Sequence, residues 1–204
     1  MLLKIHAKNP QPERIEMIRN SLLAGGVIIY PTDTVYGLGC DLLQFEAIER
    51  ICRIKKIDPP KAQFSFICTG LSQLSEYTKS ISTPIYRILK MYLPGPYTFI
   101  LPASKKVPKI FKSKKNTVGL RIPDSPLVMA LVRALDHPMV STSLPGDMVE
   151  EFTDPVRMFQ HYKSVVDMVI DGGRGGLITS TVIDCTGTEP KLLRPGLGPW
   201  ESSA

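Results

Sequence analysis

Short apolar strand patterns alternate with helical patterns along this chain. That alternation restricts the set of folds the chain can adopt more than any other feature of the sequence. Pro12 to Leu23 carries apolar residues at 15, 18, 22 and 23, which is the spacing of an amphipathic helix. Val27 to Tyr30 is a β-branched run that stops at Pro31, as expected of a buried strand. Phe45 to Ile54 predicts a second helix. The chain is therefore predicted to have an α/β fold.

Further runs of the same two kinds follow. Strands are predicted at Leu2 to His6, Phe64 to Cys68, Tyr97 to Leu101, Val118 to Ile122, Met139 to Ser141, Met168 to Ile170, Thr181 to Cys185 and Leu192 to Leu193, and helices at Ser72 to Tyr77, Pro84 to Tyr92 and Pro126 to Leu135. The last third shows little helix between its strands, so antiparallel pairs are expected there. No repeat or low-complexity linker occurs, which predicts a single domain over 1–204: a twisted mixed sheet with flanking helices.

Missing patterns exclude several classes of protein. No apolar stretch approaches the roughly 20 residues of a membrane span, and the first ten residues lack a signal-peptide pattern, so a cytoplasmic protein with no membrane partner is expected. The four cysteines form no C-x-x-C pair, and the three histidines are interpreted as structural or surface residues. A zinc site and a Ser-His-Asp triad are thus not predicted, and no metal ligand is assigned. Because G-x-G-x-x-G and G-x-x-x-x-G-K-[ST] are absent, any nucleotide site must be built differently.

The formal net charge of +6 favours anionic partners such as nucleotides or RNA. Six lysines occur without an acid between Ser104 and Asn116, at 105, 106, 109, 112, 114 and 115. A solvated face and an anion-binding face explain this run equally well.

The segment from Tyr30 to Gly39 holds the densest group of chemically active side chains, directly after a predicted strand. Strand ends are where α/β folds place ligands. The segment's polar side chains are those of Thr32, Asp33, Thr34 and Tyr36. Gly37 and Gly39 are expected to let a ligand approach the backbone. A polar turn is an equally weighted alternative, and Asp33 suits either a turn or an outer-shell magnesium partner.

Two arginines raise the question of a buried charge. Arg121 is flanked by apolar residues, so if its side chain points inward it needs an anionic partner, either a structural acid or a ligand carboxylate or phosphate. Arg194 raises the same question. The glycines around Arg174, in contrast, lack the following helix that a phosphate cradle needs, and they are interpreted as a turn.

Six motifs in order carry a family resemblance. They are PTDTVYGLGCDL (31–42), PGPYTFIL (94–101), TVGLRIPDSP (117–126), VSTS (140–143), STVID (180–184) and LLRPG (192–196). In order and spacing they resemble the YrdC/YciO family of L-threonylcarbamoyladenylate synthases, over nearly the whole chain. The resemblance implies a YrdC-like fold with a large basic concave face. It also implies synthesis of threonylcarbamoyl-AMP and pyrophosphate from L-threonine, bicarbonate and ATP, for threonylcarbamoyladenosine modification of tRNA.

The resemblance also assigns roles to residues. Lys55 and Arg121 would be catalytic. L-Threonine would contact Thr32, Thr34, Tyr36, Arg121, Thr142 and Ser180, and ATP would contact Lys55, Lys61, Thr117, Ser141, Ser143 and Arg194. ATP would be the substrate with Mg²⁺ on its phosphates, and a tRNA threonylcarbamoyltransferase complex would be the downstream partner.

The chain departs from the family pattern at two positions, and there it looks most like the YciO branch. Ile57 stands where many members carry the arginine of a K-x-R motif, and Ser141 to Gly146 lacks the asparagine of an S-x-N motif. A second hypothesis is therefore a noncatalytic module of the same fold that binds tRNA, rRNA or double-stranded RNA. A third alternative is carbamoyl transfer, as in hydrogenase maturation proteins, but nothing in this sequence resembles their other domains.

Overall fold

The elements of the fold follow from a computed structural model that describes residues 1–59, 62–111, 116–145 and 153–201. Its helices are α1 (Pro12–Leu23), α2 (Phe45–Lys55), α3 (Leu71–Glu76), α4 (Thr83–Tyr92), α5 (Pro126–Leu135) and α6 (Pro155–Tyr162). Its strands are β1 (Leu2–Lys4), β2 (Ile28–Tyr30), β3 (Gly37–Asp41), β4 (Ser65–Ile67), β5 (Tyr97–Pro102), β6 (Thr117–Arg121), β7 (Met139–Ser143), β8 (Met168–Asp171), β9 (Thr181–Asp184) and β10 (Lys191–Arg194). The longest of these helices, α1, has 12 residues, so none in the described chain is long and apolar enough to cross a membrane.

Two of these elements were not predicted. β3 begins in a segment rich in glycine, a residue with weak strand propensity, and the sequence therefore predicted a loop there. The hydrogen bonds of β3 with β2 and β7 override that local preference. α6 corrects the expectation of little helix in the last third. Its start is encoded locally, since Oδ1 of Asp154 accepts the N–H of Val156 at 2.9 Å and Pro155 occupies the first turn.

The described strands form one mixed sheet in the order β1-β8-β2-β3-β7-β4-β6-β5-β9-β10. The pairs β1/β8, β2/β8, β4/β6 and β5/β9 are parallel, and the other pairs are antiparallel. The predicted single-domain mixed sheet with flanking helices is confirmed.

Different helices cover the two faces of the sheet. Side chains of α2, α3, α4 and α6 pack on one face, in a core that includes Leu38, Phe66 and Leu120. Side chains of α1 and α5 pack on the other face, over Ile67 and Met139 among others. Because residues paired in register point to the same side of a sheet, Arg121, which lies beside Ile67, belongs to this second face.

α1 and α5 leave part of the second face uncovered, over β7, β4, β6, β5 and β9. We call this part the open face. Its side chains are half-buried or exposed, and they are Ser65, Thr98, Ile100, Thr117, Gly119, Ser143 and Val182. Where helices cover the face the strands present Ile and Met, whereas the open face is mostly small or polar. This composition suits contact with a polar ligand.

Candidate functional site

The loop between β2 and β3, residues 31–36, is shaped by its own hydroxyl groups. Oγ1 of Thr32 donates to the carbonyl of Val35 at 2.7 Å and accepts the N–H of Thr34 at 3.0 Å. This is a turn in which a threonine side chain replaces a backbone partner. It holds the hydroxyl group of Thr34, which is buried, against Arg121.

Arg121 finds its anionic partner in that same loop. Its Nη2 donates to Oδ1 of Asp33 at 2.8 Å and to Oγ1 of Thr34 at 3.2 Å. The other carboxylate oxygen of Asp33 accepts the N–H of Asp124 at 3.1 Å. The side chains of Arg121 and Asp33 are only 9% and 7% exposed, and Nε of Arg121 is buried without a partner among the described residues. Of the two kinds of anionic partner considered for Arg121, the structure supplies a structural acid, Asp33, and the N–H at Nε has no partner among the described residues.

A second arginine lies beside this pair. Nη2 of Arg194 donates to the carbonyl of Ser180 at 2.8 Å, and Oγ of Ser180 lies 2.8 Å from Oγ1 of Thr98. Burial lowers the pKa of Arg194, and the positive charge of Arg121 lowers it further. We call the group Asp33, Thr34, Arg121, Ser180 and Arg194 the arginine end of the site.

The glycine run 172–176 packs on loop 31–36. The N–H of Gly176 donates to the carbonyl of Thr34 at 3.0 Å, and a Cβ on Gly176 would lie 2.3 Å from that oxygen. A Cβ on Gly175 would lie 2.5 Å from the ring of Tyr36, whose hydroxyl donates to the carbonyl of Gly173 at 2.7 Å. These glycines thus have a packing role that the interpretation as a turn did not reveal.

Tyr30 explains two other glycines and corrects an expectation. Its buried ring lies over β3, where a Cβ on Gly39 would approach the ring to 2.8 Å and one on Gly37 to 3.2 Å. The glycines therefore make room for Tyr30 rather than for a ligand. The hydroxyl of Tyr30 donates to Oγ of Ser141 at 2.6 Å, and burial raises the pKa of Tyr30 to about 12, so the phenol stays protonated.

Replacing Tyr30 with phenylalanine is expected to lower the free energy of unfolding by about 1 kcal/mol, the usual net value of one hydrogen bond. Urea unfolding measures this change. Tyr86→Phe is the matched control, because Tyr86 is 43% exposed on α4 and its loss of a hydroxyl should cost nothing measurable. Equal stability of Tyr30→Phe and the natural protein would contradict the expectation.

The other end of the open face carries a lysine. Nζ of Lys55, at the end of α2, donates to the carbonyl of Ser143 at 2.5 Å. Burial lowers the pKa of Lys55. Thr117 begins β6, four residues before Arg121. At a rise of about 3.3 Å per residue, the Cα atoms of these two residues are about 13 Å apart. We call Lys55, Thr117 and Ser143 the lysine end.

The structure does not bring all the predicted site residues together. Thr142 lies on the opposite face from Ser141, and its hydroxyl donates to the carbonyl of Gln63 at 3.4 Å. Tyr36 is buried with its hydroxyl engaged by the glycine run. Arg194, predicted to bind ATP, lies at the arginine end. Lys61 lies outside the described residues.

Among the described residues, the carboxylates do not gather into a group that could hold a metal ion. Within the ranges that the structure describes, no group of three or more His, Cys, Asp or Glu side chains is placed to hold a metal ion. The sequence leaves Asp33 open as an outer-shell partner of magnesium. In the structure, one of its carboxylate oxygens accepts a hydrogen bond from Arg121 and the other accepts one from the N–H of Asp124.

Comparisons with known proteins agree with this architecture. The Escherichia coli protein YciO, described as uncharacterized, is 41% identical over 95% of this chain and 94% of its own, and its crystal structure superimposes with a TM-score of 0.90 over 98% and 97% of the two chains. A threonylcarbamoyl-AMP synthase of Pyrococcus abyssi is 31% identical over 93% of this chain and 57% of its own length. A crystal structure of P. abyssi Sua5 with L-threonine gives a TM-score of 0.84 at 27% identity, over 96% of this chain and 57% of that one.

A family model agrees with both relatives. It carries the names Sua5, YciO and YrdC and the description telomere recombination, and it matches residues 20–196. That range contains the open face and both of its charged ends, and the chain belongs to the Sua5/YciO/YrdC family.

Proposed function

We propose that the protein is a threonylcarbamoyl-AMP synthase, which forms this adenylate and pyrophosphate from L-threonine, bicarbonate and ATP. The observation that carries the proposal is the buried Arg121, which belongs to the same side of the sheet as the open face and is held there by Asp33 and Thr34. The relatives named threonylcarbamoyl-AMP synthases support the choice of reaction.

The arginine end suits an amino acid. A guanidinium can bind a carboxylate through two parallel N–H groups, and the bonds of Arg121 to Asp33 and Thr34 both use a single nitrogen, Nη2. The hydroxyl groups of Thr34 and Ser180 flank it and can hydrogen-bond the polar groups of L-threonine.

The lysine end suits phosphates. Lys55 supplies a positive charge, and Thr117, Ser141 and Ser143 add hydroxyl groups along the same side of the sheet. ATP lying along β6 would place its α-phosphorus between the two ends, within reach of a ligand on Arg121. Magnesium would arrive with ATP as part of the substrate, because the described carboxylates do not fit a site that the protein itself holds.

The proposed chemistry needs placement more than acid or base groups. The amine of threonine adds to the carbon of bicarbonate with loss of water, and the resulting carbamate oxygen attacks the α-phosphorus of ATP while pyrophosphate leaves. Lys55 and Arg121 would offset the charge and align the two anions. The product would pass to a tRNA threonylcarbamoyltransferase complex.

Pyrophosphate release from ATP and bicarbonate, measured with and without L-threonine, tests the proposal. Mass spectrometry for the adenylate should accompany the assay. Threonine-dependent release with an adenylate product is the expected result. Absence of product above background from folded protein would reject the proposal.

The Ile57 position yields a further prediction. Ile57 follows the end of α2 and, with Arg53 and Lys56, lines a cavity of about 330 Å³. Ile57→Arg restores the family's positive charge, and a charged hydrogen bond is worth about 1.5–3 kcal/mol, so the KM for ATP should fall by about tenfold. Steady-state kinetics measures it. Ile57→Leu is the control and should leave KM unchanged; equal KM values for both variants would contradict the prediction.

A second candidate function is an RNA-binding module on the same face. Ile57 and the missing S-x-N asparagine favour it, because each removes a nucleotide contact while the net charge stays at +6. Affinity for tRNA should then fall steeply with added salt. Negligible tRNA affinity at low salt would reject this candidate.

A further inference from the structure

The arginine end carries less net charge than its two arginines suggest. Asp33 pairs with Arg121 at 2.8 Å, so Arg121, Arg194 and Asp33 sum to a formal charge of +1. Asp33 and Arg121 also act on the pKa of Tyr30 with opposite signs, which shows the two charges offsetting each other at a neighbouring group.

At the lysine end, the described residues show no such offset. Lys55 donates to a carbonyl oxygen, and among the residues with described positions no carboxylate lies within ion-pair distance of its ammonium group. Burial, rather than a neighbouring acid, dominates its electrostatics. A phosphate group near Lys55 therefore meets an ammonium group that no described carboxylate pairs, whereas the charge of Arg121 is paired with Asp33.

We propose that Asp33 is a positioning and specificity-determining residue that keeps phosphate groups off Arg121 and reserves it for a carboxylate. Asp33 acts through Arg121 and does not touch the substrate. It fixes Nη2 of Arg121, and it cancels the charge that would otherwise join Arg194 in binding a dianion. The inference rests on the proposed function, in which L-threonine occupies the arginine end.

Calorimetric titration with L-threonine, with and without inorganic phosphate at matched ionic strength, tests the proposal. Phosphate should leave the Kd of the natural protein for L-threonine unchanged. In Asp33→Asn the uncancelled arginines should accept phosphate, and the apparent Kd for L-threonine should rise by about tenfold or more on its addition, the value of one charged hydrogen bond. Asp136→Asn is the matched control, because Asp136 lies at the left-handed C-cap of α5, a conformation that asparagine tolerates.

A merely structural role for Asp33 predicts a different outcome, since loss of structure would weaken binding of both ligands and give no gain for phosphate. Displacement of L-threonine by phosphate from the natural protein would overturn the proposal, and this arm does not depend on a variant that folds. If the natural protein binds no L-threonine, the proposed function fails. A direct phosphate titration then still decides the charge argument, because phosphate should bind Asp33→Asn at least about tenfold more tightly than the natural protein.

Discussion

Replacing Arg121 with alanine is expected to lower threonine-dependent pyrophosphate release by about a hundredfold or more, since truncating one member of a buried charge pair costs about 2–5 kcal/mol. Arg121 bonds Asp33 of loop 31–36. Among the described residues, it is the only arginine with a buried N–H group that lacks a partner. Its loss also exposes the substrate carboxylate to Asp33, which repels it. The measurement is kcat/KM for L-threonine at saturating ATP.

Two further variants separate this role from general damage. Arg121→Lys keeps the charge but loses the planar fork, so an intermediate loss is expected. Arg87→Ala removes an exposed arginine from α4 and should leave kcat/KM unchanged. Folding of each variant is checked by its unfolding transition. Unchanged turnover in folded Arg121→Ala would remove Arg121 from the site.

The sequence alone predicted the elements whose pattern is local. α1 was placed at its observed bounds, because proline, a helical apolar stripe and two glycines coincide there. β3 was missed because glycines such as Gly37 and Gly39 have little strand propensity. Its pairing partners are Tyr30, on another strand, and β7, which is distant in the sequence. The reason for those glycines is the ring of Tyr30, a contact that no local pattern encodes.

The site shows the same division between local and distant information. The need of Arg121 for an anion followed from its apolar neighbours, but Asp33 lies 88 residues away in the sequence. The sequence showed Asp33 only as one of several polar residues that follow a predicted strand. Strand alternation would have separated Thr142 from Ser141, since adjacent residues of a strand face opposite ways. Packing of the glycine run on Thr34 and Tyr36 depends on the sheet order, which only the fold reveals.

Replacing His137 with alanine is expected to lower the free energy of unfolding by about 3 kcal/mol, the upper end of the cost of leaving a buried hydrogen-bonding group without its partner. Asp41 ends β3 and is 1% exposed. Its Oδ1 lies 2.5 Å from Nε2 of His137 and accepts the N–H of Leu43, while its Oδ2 is buried without a partner in the described chain. His137 follows α5, so the contact joins that helix to the sheet. Urea unfolding measures the loss.

A double variant identifies the cause of that loss. Asp41→Asn removes the carboxylate that His137 contacts, so Asp41→Asn/His137→Ala should be more stable than His137→Ala alone, because a neutral amide costs less to bury than a carboxylate. If the double variant is instead less stable than either single variant, His137 contributes through packing and Asp41 carries no uncompensated charge. The pair lies at the end of β3 remote from Gly37 and loop 31–36, so turnover per folded molecule should be the same in all three variants.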